Sequence, residues 1–254
     1  YANNMSKIIA VTGKGGTGKS TAASLIIKTL ISERSNSVLA VDADPNSTLG
    51  EMIGLKVENT MAGICEEMLE NKEKLPAGMT KDQFLEYKIQ SSMAEKDNLT
   101  LLTMGRPEGP GCYCYANNLL RNIVKDITDN FRFTIIDNEA GMEHISRKTA
   151  RNIDILFIVS DFSIIGIRSA VKIHDLAKTI GIKLGKSFLI VNKVKGDASI
   201  LEREIDASGI PLAGELPFSS EVENLSLNSK PITSLPKESE IAKAVETIVK
   251  KTIV

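Results

Sequence analysis

The 254-residue chain is long enough to bury one large core, and its 42% hydrophobic and 25% charged residues are those of an ordinary globular domain. Its 31 basic and 32 acidic residues leave a formal net charge of -1 with no long block of either sign, so neither nucleic acid nor a membrane is expected as a partner. No apolar run approaches the roughly 18 residues of a membrane span, the first one (Ile8–Val11) is too short for a signal peptide, and three cysteines without secretory signals point to a reducing, cytoplasmic setting.

Tyr1–Asn4 precede Met5 and read as a tag remnant or short tail, which leaves 5–254 as the folded unit. Lys7–Thr12 is a β-branched run ending at a glycine loop and predicts a buried strand. Ser20–Arg34 carries Leu25, Ile26, Leu30 and Ile31 at helical spacing, and Ser37–Val41 predicts the second strand. Met61–Glu70 and Lys81–Ser91 predict surface helices separated by Pro76-Ala77-Gly78. Leu99–Thr103 predicts a strand, Gly105–Gly111 a helix-free stretch, Asn117–Thr128 a helix, and Phe133–Asp137 and Ile153–Val159 two more strands. Ile164–Ile180 predicts a helix, Ser187–Val191 a strand, Ile200–Ala207 a helix, Leu212–Leu216 a short strand and Ser239–Lys250 a closing helix. Such alternation predicts an α/β fold: one domain, with a mostly parallel sheet and helices on both faces.

Gly13-Lys14-Gly15-Gly16-Thr17-Gly18-Lys19-Ser20 stands between a predicted strand and a predicted helix, the context of a phosphate-binding P-loop. Its glycines let successive N–H groups converge on phosphate oxygens, and the helix adds its positive end. Lys19 is expected to neutralise the β- and γ-phosphates and Ser20 to complete a Mg²⁺ shell, with Thr21 and Pro217 counted in the nucleotide-binding set. Val38–Asp42 with Ala43-Asp44-Pro45 puts Asp42 and Asp44 just past a strand, and Phe133–Asp137 ends another in Asp137. Open α/β sheets bind ligands at these strand ends. Three carboxylates there read either as strand-end caps or as the metal and water stations of a nucleotide site. Leu189–Asn192 ends in an amide that can pair with adenine, or that simply closes a strand.

The loop resembles the deviant Walker A motif, Lys-Gly-Gly-x-Gly-Lys-Ser/Thr, of the dimeric ATPases related to the nitrogenase iron protein and to the Min and Par partitioning ATPases. That resemblance implies that Lys14 reaches the partner subunit's nucleotide, that Asp44 orients the attacking water, and that Asp42 and Asp137 lie near Mg²⁺. It also implies that Gly141, in the switch-like Asn138-Glu139-Ala140-Gly141, senses the γ-phosphate. Guanine-specific P-loop proteins use Asn-Lys-x-Asp; here Lys195 holds the fourth position, so ATP is expected rather than GTP.

Cys112-Tyr113-Cys114 would project two thiolates to one side of an extended segment. A disulfide in so small a ring is strained. A thiolate metal site wants four ligands, which two copies of this pair supply across a two-fold axis. Zn²⁺, or Ni²⁺ in a flatter geometry, suits such a site, and buried packing is the other reading. Met104–Cys114 and Asp137–His144 resemble the nickel-insertion ATPases of the CooC and AcsF type, accessory proteins of carbon monoxide dehydrogenase and acetyl-CoA synthase. That resemblance spans the chain after Met5. It implies an ATP-hydrolysing homodimer that holds Ni²⁺ or Zn²⁺ at Cys112 and Cys114 and serves one of these nickel enzymes as client. Two rival readings remain: a Min- or Par-type switch without a metal client, and an iron-protein-like electron donor. Cys65 reads as packing, and the stripe Ile241, Val245, Ile248 and Val249 as a core-facing helix rather than a membrane anchor.

Overall fold

The computed structural model describes residues 6–70, 78–106, 127–139, 152–179 and 181–254. Its sheet has eight strands: β1 (Lys7–Gly13), β2 (Val38–Asp42), β3 (Ala94–Lys96), β4 (Leu99–Thr103), β5 (Phe133–Asp137), β6 (Asn152–Asp161), β7 (Lys183–Val194) and β8 (Leu212–Pro217). Their order is β3-β4-β2-β5-β1-β6-β7-β8, and every pairing is parallel except β3 with β4. The described helices are α1 (Lys19–Ile31), α2 (Leu49–Ile53), α3 (Met61–Glu70), α4 (Lys81–Ser92), α5 (Ile164–Thr179), α6 (Glu202–Ser208), α7 (Ser220–Leu227) and α8 (Glu240–Thr252).

Strands covered on both faces must be apolar throughout, and β2, β4 and β5 are buried at every residue. Successive side chains go to opposite faces. Ile9, Val11, Val38, Ala40, Ile135 and Phe157 enter one core with α1, α2 and α8. Ala10, Leu156, Ile158 and Leu189 pack on the other face under α5 and α6, while Leu39, Val41 and Ile136 meet α3 and α4 there. Cys65 is buried in that last cluster, as expected from its apolar neighbours. Helix α1 lies between the sheet and α8, so its Ala22, Ala23, Leu25, Ile26, Ile27 and Leu30 are all buried. The apolar stripe of α8 is spent on the same core, with Ile241, Val245, Ile248 and Val249 buried.

Five elements differ from the sequence expectation. α2 and α7 are short, five and eight residues, and have too few turns to show a period. The edge strand β3 has three residues and joins β4 through Asp97-Asn98, with Asp97 at φ 54°. β7 begins four residues earlier than expected, because its first half (Lys183, Gly185, Lys186) is polar and lies at the less covered end of the sheet. The predicted helix Ile200–Ala207 starts as a 3₁₀ turn, Ala198–Leu201, before α6. Residues 1–5, the Pro76-Ala77 link, most of the predicted helix Asn117–Thr128, the Cys112-Tyr113-Cys114 segment, Gly141 and His144 lie outside the described residues. No described helix is long and apolar enough to cross a membrane.

Phe157, fully buried on β6, has its ring centroid 6.0 Å from that of Phe188 on β7. Phe157→Ala should therefore cost about 3–5 kcal/mol of stability, read as a lower urea midpoint at unchanged slope.

Candidate functional site

The glycine loop leaves β1 at the sheet's centre and delivers its last glycine to the start of α1. Gly18 is the residue before the helix, at φ 88° and ψ 32°, a left-handed conformation that costs other residues energy. A Cβ on Gly18 would collide with Nδ2 of Asn192, and one on Gly13 with the Val159 carbonyl oxygen. Gly15 has no protein atom within 4 Å of where its Cβ would stand, so nothing in the chain itself demands a glycine there. The open space over it is a cradle of the kind that phosphate oxygens fill. The loop is braced from within and from behind. Thr17 Oγ1 donates to the Lys14 carbonyl (2.9 Å). Asn192 Nδ2 donates to the Thr17 carbonyl (2.8 Å), and Lys193 Nζ donates to the Gly16 carbonyl (2.9 Å). Asn192 Oδ1 accepts from the Lys193 N–H at 2.8 Å, so one N–H and one lone pair of the expected adenine reader are committed to bracing. Lys19 is buried at the loop's end, Ser20 and Thr21 are half-buried, and Lys14 is exposed at the mouth.

The carboxylates gather on the other side of the loop. Register pairs Asp42 on β2 with Asp137 on β5, and Asp137 with Val11 on β1, so the two side chains stand next to each other at the strand ends. Both are fully buried. Asp42 is already employed: Oδ1 accepts from the Asp44 N–H (3.2 Å) and Oδ2 from the Leu49 N–H (3.0 Å). It thereby holds the turn that carries Asp44 and the start of α2. It neighbours Asp137 in the sheet register, with both of its own oxygens engaged by backbone. Burial pushes its pKa up to about 6, against the lowering pull of those two N–H groups. Asp137 is the opposite case. Neither of its oxygens has a hydrogen-bond partner, although the Ser20 hydroxyl lies close enough to favour its charged form. Burial first, and then the charges of Asp42 and Asp44, raise its pKa to about 7 despite Ser20 and Lys19. A bare buried carboxylate beside a helix-start serine is the donor set that Mg²⁺ requires of a protein, two or so oxygens with water and phosphate completing the shell. Asp44 is half-buried; its Oδ1 accepts from both the backbone N–H and Nδ2 of Asn46, each at 2.9 Å.

Asn138 was not foreseen as a structural piece. Its N–H (3.0 Å) and Nδ2 (3.1 Å) both donate to the Val11 carbonyl and Nδ2 also to that of Ile136 (3.2 Å), while its buried Oδ1 is unpartnered. It ties the strand bearing Asp137 to the root of the glycine loop. Pro217 ends β8 in register with Val194, at the same edge of the sheet.

The comparisons with known proteins agree with this geometry. The CobQ/CobB/MinD/ParA nucleotide binding domain family matches residues 8–232. An ATP-binding protein of Methanocaldococcus jannaschii is 41% identical over 249 residues, covering 97% of this chain and 98% of that one. The carbon monoxide dehydrogenase accessory protein CooC of Rhodospirillum rubrum is 31% identical over 229 residues, 85% of each chain. Among solved structures, the septum site-determining protein MinD of Pyrococcus horikoshii, complexed with Mg-ADP, has a TM-score of 0.68 at 20% identity, covering 98% of this chain and 96% of that one.

Because Asp42 and Asp137 hold a proton more tightly folded than unfolded, the folded state binds more protons above the ordinary aspartate pKa of 3.8. Their contribution to stability is greatest at low pH and is lost as pH rises through about 6 to 7. Metal-free protein should thus show a falling melting temperature between pH 5 and 8 that is flatter in Asp137→Asn. Identical pH profiles for the two proteins would count against this assignment.

Proposed function

The chain belongs to the CobQ/CobB/MinD/ParA nucleotide-binding family, and from that premise we propose that it is an ATP-hydrolysing homodimer that carries Ni²⁺ or Zn²⁺ to a nickel enzyme. The observation that carries the ATPase reading is the pairing of a braced, open glycine cradle with an unpartnered buried carboxylate, Asp137, beside Ser20. In this reading the loop N–H groups and Lys19 hold the phosphates. Ser20 and Asp137 would hold Mg²⁺, which would supply positive charge to the phosphates. Asp44 stands on a turn fixed by Asp42 and orients the water that attacks the γ-phosphorus, with the ADP β-phosphate oxygen as leaving group. Lys14, which is exposed at the loop mouth, offers its charge to a second copy's nucleotide in this reading.

The metal half of the proposal rests on the Cys112-Tyr113-Cys114 sequence and on the likeness to CooC. Two thiolates per chain make four per dimer, a set suited to one tetrahedral Zn²⁺ or to Ni²⁺. Closure of the dimer on ATP and its reopening after hydrolysis would then tighten and release that ion. The client is carbon monoxide dehydrogenase or acetyl-CoA synthase. The apolar stripe of α8 is buried in the core, so α8 itself is not a membrane-docking helix.

Lys19→Ala should abolish tight ATP binding, and Asp44→Ala should bind ATP with hydrolysis reduced by about 10²-fold or more; wild-type turnover in Asp44→Ala would remove Asp44 from its role. Metal analysis should give one Ni²⁺ or Zn²⁺ per two chains, lost in Cys112→Ser and in Cys114→Ser. A stoichiometry unaffected by the double substitution would leave an ATPase switch without a metal cargo.

A further inference from the structure

A groove of about 640 Å³ runs between α6 and β8, at the end of the sheet three strands from β1, where the phosphate and metal chemistry does not use it. Its volume is that of a small-molecule or short-peptide site. Ile205, Ile210 and Leu212 give it an apolar floor, the first two buried and Leu212 half-buried. Glu202 and Asp206 of α6 and Glu215 of β8 also line it, and among the described residues no lysine or arginine does. Ile200, next to the groove's Ser199, is 69% exposed. The β8 wall is the last strand of the sheet and, among the described residues, pairs only with β7. The Pro211 carbonyl accepts from the Leu189 N–H on β7 (2.9 Å), whereas the next one along, that of Leu212, accepts from the Lys251 side chain (3.3 Å). The outer edge of β8 is thus met by a side chain and, among the described residues, by no strand.

Charge selects the occupant. Glu204, on the other side of α6, is paired with Arg168 of α5 at 3.0 Å. Among the described residues, Glu202, Asp206 and Glu215 form no ion pair, and Lys251 is engaged by a backbone oxygen. Glu202 and Asp206 stand one helical turn apart on one face of α6, and Glu215 stands on the opposite wall. Among the described residues no three acidic, histidine or cysteine side chains gather closely enough to hold a metal ion. The carboxylates are therefore spread along the groove and suit several cations carried on a chain rather than one ion. Nucleic acid and anionic lipid are repelled by the same charges. We infer that this groove docks an extended segment of a partner protein in which lysine or arginine alternates with aliphatic side chains. Successive side chains of an extended segment point to opposite sides. The aliphatic ones enter the floor, and the long basic ones bend back to the exposed carboxylates at the rim. An open strand edge is a template for adding such a segment. This docking is independent of the ATPase and metal reading above.

The experiment is fluorescence anisotropy of labelled hexapeptides with the full chain. The probes alternate lysine with valine, lysine with serine, and glutamate with valine. The lysine–valine peptide should bind saturably and weaken as salt is raised. The lysine–serine peptide should bind more weakly, since it leaves the floor empty, and the glutamate–valine peptide should not bind. The surface double substitution Glu202→Lys with Glu215→Lys should weaken the lysine–valine peptide by about tenfold or more, because like charges then meet across the groove. ATP binding by that variant should be unchanged, which shows that its fold is intact. The inference is overturned if wild type binds no lysine–valine peptide, if the serine peptide binds equally well, or if the double variant binds as wild type does. It is also overturned if light scattering without peptide shows that the double substitution lowers the mass, since the groove is then filled by a second copy. A chain that binds no ATP leaves the peptide measurements standing and removes only the ATPase reading.

Discussion

Asp137 reaches the carboxyl edge of the sheet fully buried, with no hydrogen bond to either oxygen. A charge buried that way costs several kcal/mol unless a proton or a cation joins it. Burial, with the charges of Asp42 and Asp44 beside it, raises its pKa to about 7. Around this cost the rest of the site is arranged. Asp42, the nearest alternative donor of negative charge, has both oxygens engaged by the N–H groups of Asp44 and Leu49. Asn138 anchors the end of β5 to β1, so Asp137 cannot swing out to water. What remains is one carboxylate, held inward and beside Ser20, whose stable charged form calls for a cation.

The two sides of the loop are built differently. On the β7 side, Asn192 and Lys193 clamp loop carbonyls, with Lys193 itself at φ 59° to bring its side chain round. These clamps take only loop carbonyls; within the loop the Thr17 N–H donates to the Lys14 carbonyl (3.4 Å). On the β2 side, the turn bearing Asp44 is tied by the two acceptors of Asp42 and by its own bonds to Asn46. The position of Asp44 therefore depends on Asp42, the neighbour of Asp137 in the sheet register. The cradle is thus fixed by long-range contacts and the Asp44 turn by local ones through Asp42, so the two sides of the site are held independently.

The glycine loop, the strand-end aspartates and the parallel sheet were legible in the sequence because each has a local signature. The P-loop is a spacing, Asp42 and Asp137 each close a run of apolar residues, and α1, α5 and α8 are long enough to show their period. The braces were not legible, because their partners are remote. Asn192 and Thr17 stand 175 residues apart, and only the parallel β1–β6–β7 arrangement brings them together. Asn192 illustrates the limit: a polar residue ending a strand is readable as functional, but whether its amide faces a base or a loop carbonyl depends on register. Asn138 escaped for the same reason, since its partner carbonyl belongs to Val11 on the neighbouring strand. α2 and β3 were missed because five and three residues leave no pattern to read.

The burial of α8 bears on what moves. Its apolar stripe closes over α1, and Ile248 fits so closely against Gly214 of β8 that a Cβ there would press on it. α1 is thus held along its length between two layers, and at its far end Lys28 Nζ donates to the Thr233 (2.8 Å) and Leu235 carbonyls. The helix whose first turn carries Lys19 and Ser20 cannot shift without breaking the main core. Among the described residues, the less enclosed parts of the edge are instead the Asp44 turn, the exposed Lys14, and Ile164 and Ile165, which lie exposed at the start of α5 where it leaves β6. These lie at the same edge of the sheet as the cradle. A second copy engaging that edge would cover the exposed isoleucines and approach the phosphates together, so that association and nucleotide state would be read by one surface.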